Sequence, residues 1–398
     1  MDARQQKGFE ISKEKMAIKE TKEGWLVKSQ SGRGFYRVSD TFVCDCPDSE
    51  FHNTTCKHAY AVRYYLDVEK HTPEGIKDER IRLTYKQAWS AYNEAQVAEG
   101  RLFDGLLSDL VSTIASPVQT RGRPRLMLRE AAFVTIKKIY SGMSSRRAAS
   151  LFGDSADKGY ILREPHFNSV SKFLNQKETE SILQELIKIT SAPLKDIETN
   201  FAVDSTGFRT TSFGIYAEDK YGTKKERKWL KAHICCGTKT NIITSVKILG
   251  EHSADCPNLA GLTQETSDAG FKINEVYADK AYLSRDNLTH ITDLGGIPYI
   301  PFKMGSTMRA KGAPVWRRMF LYFQLNQEEF MSHYNKRSNV ESTIAAVKKK
   351  LGETLRSKNR TAQINELLCK LIAYNITVLI HEMKELGIEP IFAKGGLA

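Results

Sequence analysis

A chain that combines α+β and α/β regions is predicted from three observations in these 398 residues. Residues 15–46 hold short strand-type runs separated by Gly and Ser turns. From Tyr85 to Leu174 apolar residues recur at helical spacing. After Ala192-Pro193, strand-type and helical segments alternate, which is the pattern of a layered domain. Hydrophobic residues make up 41% and charged residues 27%, so cores can form and wholesale disorder is excluded. Three domains are expected: a small β-rich module over 1–72, a helical region over 73–195, and a layered domain over 196–398.

In the first region the strands are expected at Lys15–Lys19, Trp25–Ser29, Gly34–Val38 and Thr41–Cys44, with a helix from Cys56 to about Leu66 and a linker over 71–80. Cys44-x-Cys46-x9-Cys56-x-His58 places four soft ligands within fifteen residues. Tetrahedral Zn²⁺ takes four such sulfur and nitrogen donors, and four protein ligands close the site, so it is structural. Seven cysteines in a long chain, three of them clustered with a histidine, fit a reducing compartment with a metal site better than a disulfide framework. Cys235, Cys236, Cys256 and Cys369 lie in mostly apolar surroundings and read as core.

The helical region is interrupted at Arg121-Gly122-Arg123-Pro124-Arg125, which resembles an AT-hook, with Arg121 and Arg123 able to enter a narrow A·T minor groove; a basic interhelical turn is the alternative. Ser144-Ser145-Arg146-Arg147-Ala148-Ala149 opens a Ser-capped helix, and a second helix follows around Asn168–Leu174, as in a helix-turn-helix.

The formal charge is +12 and the pI about 9.2. Residues 1–80 and 201–300 are each neutral overall, whereas residues 301–360 hold 13 Lys/Arg against 4 Asp/Glu. Such a local excess favours a polyanion, and phosphate backbones are the commonest one. No apolar run reaches the ~18 residues of a membrane span; Leu368–Ile380 is shorter and broken by Lys370 and Asn375. Met1–Glu10 has no signal-peptide core, so a cytoplasmic protein is expected.

In the last region Phe201–Asp204 reads as a buried strand running into a polar turn. Trp229–Cys236 and Ile242–Ile248 read as a hairpin-like pair, Ser253–Gly270 as a helix, Ile273–Ala278 as a strand ending at Asp279, Arg285–Leu294 as a helix and Ile297–Phe302 as a strand. Long helices over about Glu328–Leu351 and Ala362–Met383 close it. Residues just past strand ends in α/β sheets line the crevice where ligands bind, which singles out Asp204 and Asp279. At ~100° per residue, Tyr334, Arg337, Glu341 and Lys348 share one narrow helix face beside a stripe of Val340, Ile344, Val347 and Leu351. A carboxylate flanked by Arg, Lys and Tyr suits a metal beside a phosphate; an ordinary solvated face is the alternative. Lys303, Arg309, Lys311, Arg317 and Arg318 surround Trp316, which either stacks a displaced base or anchors its loop. Lys224, Lys225, Arg227 and Lys228 form another basic turn.

Asp204-Ser205-Thr206-Gly207, Tyr277-Ala278-Asp279-Lys280-Ala281-Tyr282 and Tyr334-x2-Arg337-x3-Glu341-x6-Lys348 resemble the DDE transposases of IS4/IS5-like insertion sequences, the last being the YREK signature with its spacing intact. Glu251-His252-Ser253-Ala254-Asp255 looks like that family's loop before the first helix. One departure is Ala281, where many relatives have Gly. The resemblance covers about residues 196–385, and residues 15–68 resemble the SWIM zinc finger, a module associated with DNA or protein interaction. It implies an RNase H-like catalytic domain with Asp204, Asp279 and Glu341 as a triad holding two Mg²⁺ (or Mn²⁺) ions. It also implies that Tyr334, Arg337 and Lys348 grip DNA backbone, and that the partners are transposon ends and target DNA, bridged by a homodimer in a prokaryotic, nucleoid-associated setting. The implied activity is cleavage at transposon ends followed by 3′-OH strand transfer. A non-catalytic regulator derived from a transposase, or a nuclease of the same fold without strand transfer, are the alternatives.

Overall fold

The computed structural model describes residues 3–14, 16–21, 24–30, 34–39, 42–52, 55–68, 71–72, 75–76, 88–115, 126–210, 229–309 and 311–392, and divides into two compact units, Met1–Gln87 and Ala88–Ala398. The AT-hook-like stretch with Arg121 and Arg123, and the basic turn of Lys224, Lys225, Arg227 and Lys228, lie outside the described residues.

The first unit opens with α1 (Ala3–Lys13), a helix the sequence does not announce because only Gly8 and Ile11 of its eleven residues are buried. Gly8 is what lets it lie against the helix α3 described below: a Cβ there would meet Tyr60 Cβ at 2.6 Å and Lys57 O at 2.8 Å. Three strands, β1 (Ile18–Thr21), β2 (Gly24–Lys28) and β3 (Phe35–Val38), form an antiparallel meander in which Val27 faces both Ile18 and Tyr36. The fourth expected strand is reduced to a single bridge between Val38 and Cys44. A short α2 (Pro47–His52) and then α3 (Lys57–Val68) follow. Where a linker over 71–80 is expected, β4 (His71–Thr72) and β5 (Gly75–Ile76) pair as two-residue strands. The core is small: Ile11, Ala17, Ile18, Val27, Val38, Ala59, Ala61 and Val62 around Cys44, Cys46 and Cys56. A core of this size rarely sustains a fold without a staple such as a metal.

The second unit begins with five helices: α4 (Trp89–Ser112), α5 (Leu128–Ser141), α6 (Ser145–Asp157), α7 (Asn168–Leu174) and α8 (Thr179–Ser191). Ser144 caps α6 as expected, accepting the Arg147 amide. The connection from α6 to α7 runs over residues 158–167, too long for the three- or four-residue turn of a helix-turn-helix. The tight turn lies instead between α5 and α6, where Gly142 takes φ 67° to end α5 in a left-handed cap.

Among the described residues, five strands then form one mixed sheet: β6 (Asn200–Arg209), β7 (Trp229–Gly237), β8 (Ile243–Gly250), β9 (Glu275–Ala278) and β10 (Ile297–Tyr299), in the order β10-β9-β6-β7-β8. The neighbours β6, β7 and β8 are antiparallel, while β9 is parallel to both β6 and β10. Helices α9 (Leu259–Asp268), α10 (Arg285–Asp293), α11 (Pro314–Leu325), α12 (Gln327–Tyr334), α13 (Ser338–Leu351) and α14 (Arg360–Glu385) complete the unit. Strand β6 runs five residues past Asp204, because β7 continues to pair with it down to Arg209.

Helix α14 is buried along almost its whole length, and its polar residues are satisfied within the protein. Asn375 bonds both backbone groups of Ile243 on β8 and the Thr190 hydroxyl of α8. Lys370 donates to the carbonyls of Gly352 and Thr354 at 2.7 and 2.9 Å. This is a helix of a protein interior; among the described residues it is also the one helix long and apolar enough to cross a membrane. Because α14 packs against α4, α5 and α8 on one side and touches β8 on the other, the helices from residue 88 onward share one continuous core with the sheet. The boundary expected near residue 195 therefore separates two parts of a single compact unit.

Candidate active site and metal centre

Asp204 sits where β6 parts from β9. The last pair in that parallel ladder is Val203 with Ala278, so the next residues on the two strands, Asp204 and Asp279, stand side by side at the end of the pairing. Neighbouring strands lie about 4.8 Å apart. The Asp279 carboxylate caps the 3₁₀ turn Lys280–Tyr282, accepting the Lys280 amide at 2.6 Å. Asp204 accepts the Ser205 amide at 2.8 Å.

Glu341 arrives from the other side. The long helix expected over Glu328–Leu351 is broken: α12 ends at Tyr334, Asn335–Arg337 form a 3₁₀ turn, and α13 starts at Ser338. A 3₁₀ turn advances about 120° per residue instead of 100°, so the four YREK positions do not lie on one continuous wheel. This lead-in is fastened to the sheet twice. Glu275 at the start of β9 pairs with His333 at 3.1 Å and Lys336 at 3.3 Å, and Arg337 Nη1 meets Asp204 Oδ2 at 2.9 Å. The second guanidinium nitrogen of Arg337 donates to Glu341 Oε1 at 2.5 Å, an i,i+4 pair. One cation thus bridges two of the three carboxylates.

Burial pushes the Asp204 carboxyl up from its ordinary range; Glu341 and Asp279 push the same way, opposed by the Ser205 amide and by Arg337. Asp204 therefore feels both other carboxylates, as members of one site do. Tyr334 lies beside Arg337, its ring centroid 5.8 Å from the guanidinium carbon. Lys348 is two turns further along α13 and sits over the Phe208 ring at 5.4 Å, toward the far end of β6 rather than beside Asp204. Of the four YREK positions, three meet at the carboxylates and one does not.

A buried network behind Asp204 carries residues that sequence reading leaves unassigned. Ser205 pairs across the strands with His233, which is fully buried. His233 contacts Asp255 at 3.5 Å, the Tyr282 hydroxyl at 3.5 Å and Ser253 Oγ at 3.2 Å, and Lys231 pairs with Asp255 at 2.7 Å. Burial depresses the His233 pKa to about 4, with Lys231 and Lys247 adding to the effect against Asp255. Asp255 and Tyr282 were legible as members of their motifs; His233 and Lys231 lie on a strand with no local signature.

Trp316 does not present its ring. It is 6% exposed, donates Nε1–H to Thr307 O at 2.8 Å and packs edge-on against Phe302, with Arg285 stacked over its ring at 4.3 Å. The loop-anchor alternative is the one the packing supports, and a flipped base has no face to stack on here.

Residues 197–376 match the transposase DDE domain family. The matched stretch runs from just before β6 into α14 and contains Asp204, Asp279 and Glu341. It supports a transposase acting on DNA, a class that uses divalent metal ions. No solved structure matches the chain. Asp204, Asp279 and Glu341 offer only carboxylate oxygens, the hard ligands that Mg²⁺ and Mn²⁺ prefer, and the Asp204 pKa is raised first by burial, with the other two carboxylates adding to it. The three residues fit such an ion by donor type.

In the first unit Cys44, Cys46, Cys56 and His58 are all buried, and one ligand atom from each lies within 4.8 Å of the others. His58 Nδ1 is 3.9 Å from both Cys44 Sγ and Cys56 Sγ. A tetrahedral ion with M–S of about 2.3 Å and M–N of about 2.0 Å would set that edge at ~3.5 Å. The Cys56 thiol is held down, first by Cys44 and then by His58 and the Ala59 amide, against its own burial. All three cysteines are free of disulfides. The four side chains form one buried cluster able to hold a tetrahedral metal.

Proposed function

We propose that the chain is an IS4/IS5-like DDE transposase with an RNase H-like catalytic domain, cutting DNA at transposon ends and joining the freed 3′-OH to target DNA. The observation that carries this reading is the Asp204–Asp279 juxtaposition across β6 and β9, with Glu341 brought to Asp204 through Arg337. The strand order, with its first three strands antiparallel and the next two parallel, supports the RNase H-like assignment.

Asp204, Asp279 and Glu341 would hold the divalent ions. When bound, these ions supply charge stabilisation at the attacking and leaving oxygens of the phosphodiester. Arg337 offers a planar fork that matches two phosphate oxygens, and Tyr334 packs against it. In the first step water attacks the phosphodiester at the element's end, leaving a 3′-OH and a 5′-phosphate. In the second, that 3′-OH attacks a target phosphodiester, and the displaced target 3′-oxygen takes the proton. Neither step uses a protein nucleophile. Residues 44–58 are read as a SWIM-type zinc site that holds the small unit together, and a homodimer bridging two ends is the assembly this reading calls for.

The test is nicking and joining of an oligonucleotide carrying the flanking element's end, in Mg²⁺ or Mn²⁺, for wild type, Asp204→Ala and Glu341→Ala. Metal-dependent joining lost in both variants supports the reading. Tight end binding without chemistry in any metal points to the regulatory alternative, and nicking without joining of a pre-cut end points to the nuclease.

A further inference from the structure

A cleft of about 500 Å³ opens among the end of α5, the start of α6, α7 and the segment leading into α14. Its lining carries three cationic side chains, Lys138, Arg356 and Lys358, against one carboxylate, Glu366. That carboxylate is engaged by backbone, accepting the amides of Arg356 at 2.9 Å and Ser357 at 2.7 Å. Arg356 uses one Nη1–H to reach Gly142 O at 2.6 Å, a small part of its five donors.

Lys138 is the unusual member. It is 8% exposed as a residue, yet its side chain lines the open cleft, where Glu366 is the carboxylate that attracts it. Burial lowers its pKa, Arg356 adds to that, and Glu366 opposes it. A second anion in the cleft would favour the charged form further. Two helices begin at this cleft, α6 capped by Ser144 and α14 capped by Asn359, and two end at it, α5 and α7, so its positive charge comes from the three cationic side chains.

We propose that this cleft binds a phosphate of a DNA backbone, a nucleic-acid contact separate from the three carboxylates. The proposal rests on the transposase reading for its choice of DNA over a free phosphate. The connection to the sheet favours the polymer. Thr354, two residues before Arg356, bridges to Arg209, and the amides of Arg209 and Leu355 exchange bonds with Glu353 and Arg209 carbonyls. Arg209 lies five residues beyond Asp204 on β6, about 17 Å at ~3.4 Å per residue, roughly five base pairs of a duplex at ~3.4 Å per step. A single duplex can reach from the carboxylates toward the cleft.

The experiment measures binding of the full chain to a short duplex of arbitrary sequence, without added Mg²⁺ or Mn²⁺, as a function of salt. Wild type is compared with Lys358→Ala, Arg356→Gln, Lys138→Met and the exposed charge control Lys272→Ala. Loss of one phosphate contact lowers the log–log salt slope by about 0.9. That drop is expected in Lys358→Ala and Arg356→Gln and not in Lys272→Ala; Lys138→Met should share it, with its fold checked by circular dichroism. Because Lys358 is exposed, its variant decides the matter even if Lys138→Met fails to fold. Unchanged slopes in both Lys358→Ala and Arg356→Gln would overturn the proposal, as would an equal drop in Lys272→Ala. A second arm follows the melting temperature in inorganic phosphate against chloride at equal ionic strength. A phosphate-specific rise lost in Lys358→Ala, with DNA slopes unchanged, would make this a free-phosphate site and overturn the backbone assignment. Changed slopes alongside absent metal-dependent nicking would sink the catalytic reading alone, whereas a wild type that fails to bind duplex would sink both.

Discussion

Arg337 holds Asp204 at 2.9 Å across 133 residues of sequence, and with its other nitrogen holds Glu341 one helical turn ahead. A guanidinium between two carboxylates offsets their mutual repulsion, the role that the proposed reading gives to divalent ions. It is also the group placed to turn to a phosphate once those carboxylates are otherwise neutralised.

Replacing Arg337 should therefore have two separable effects. In Arg337→Ala the salt slope of end binding falls by about 0.9, and cleavage falls by at least about 100-fold, or 2.7 kcal/mol of barrier. Arg337→Lys keeps the charge and loses the fork, so it should recover the slope but little of the rate. Filter binding and single-turnover cleavage measure the two quantities. Full cleavage in Arg337→Ala would remove it from the site.

The cysteine cluster makes a prediction about composition. Purified protein should carry one zinc per chain, falling well below one in Cys46→Ser and Cys56→Ser, as read by elemental analysis. The apparent binding free energy at such sites, about 10–16 kcal/mol, is largely folding free energy. A chelator should accordingly expose residues 1–87 to limited proteolysis. Protection that persists after the metal is gone would show that the small core stands without its staple.

His233 sets a pH dependence. Its folded pKa, about 4, lies below the ~6.5 of an unfolded histidine. The unfolded chain thus takes up a proton first as pH falls. The contribution of His233 is fully present above about pH 6.5 and is lost progressively down to about pH 4. At pH 5 the loss is on the order of 2 kcal/mol. Urea midpoints at pH 7 and pH 5 should separate more in wild type than in His233→Gln; equal separations would mean that this histidine titrates normally.

Trp316→Ala should act on stability and leave DNA binding alone. Deleting a buried Trp costs about 3–5 kcal/mol, here with loss of the bond to Thr307 and the stack under Arg285. A lower urea midpoint with an unchanged salt slope is the expected result. The opposite pair of results would restore a base-stacking role.

Much of this was written locally. Cysteine and histidine spacing named the metal cluster, since ligands within fifteen residues can converge almost whatever the chain does between them. The alternation of strand and helix after residue 195 placed β7, β8, β9, β10 and α10 close to their observed bounds. Helix α1 was missed because its burial rests on Gly8, a residue with no periodic signal. The break at 335–337 was missed because no Gly or Pro marks it.

The identities of Asp204, Asp279 and Glu341 come from short motifs, because each needs only its own neighbours to be recognised. Their meeting does not. It depends on a parallel register that aligns Val203 with Ala278, and on a 3₁₀ turn that delivers Arg337 to Asp204. Lys348 shows the difference: correct in spacing, it lies over Phe208 because α13 runs along β6 and away from the carboxylates. Lys138, Arg356 and Lys358 are scattered and ordinary as sequence, and only the packing of α14 against the helices before the sheet puts them around one cleft. Non-local contacts of this kind are set by how buried faces fit together, a property that no single segment carries.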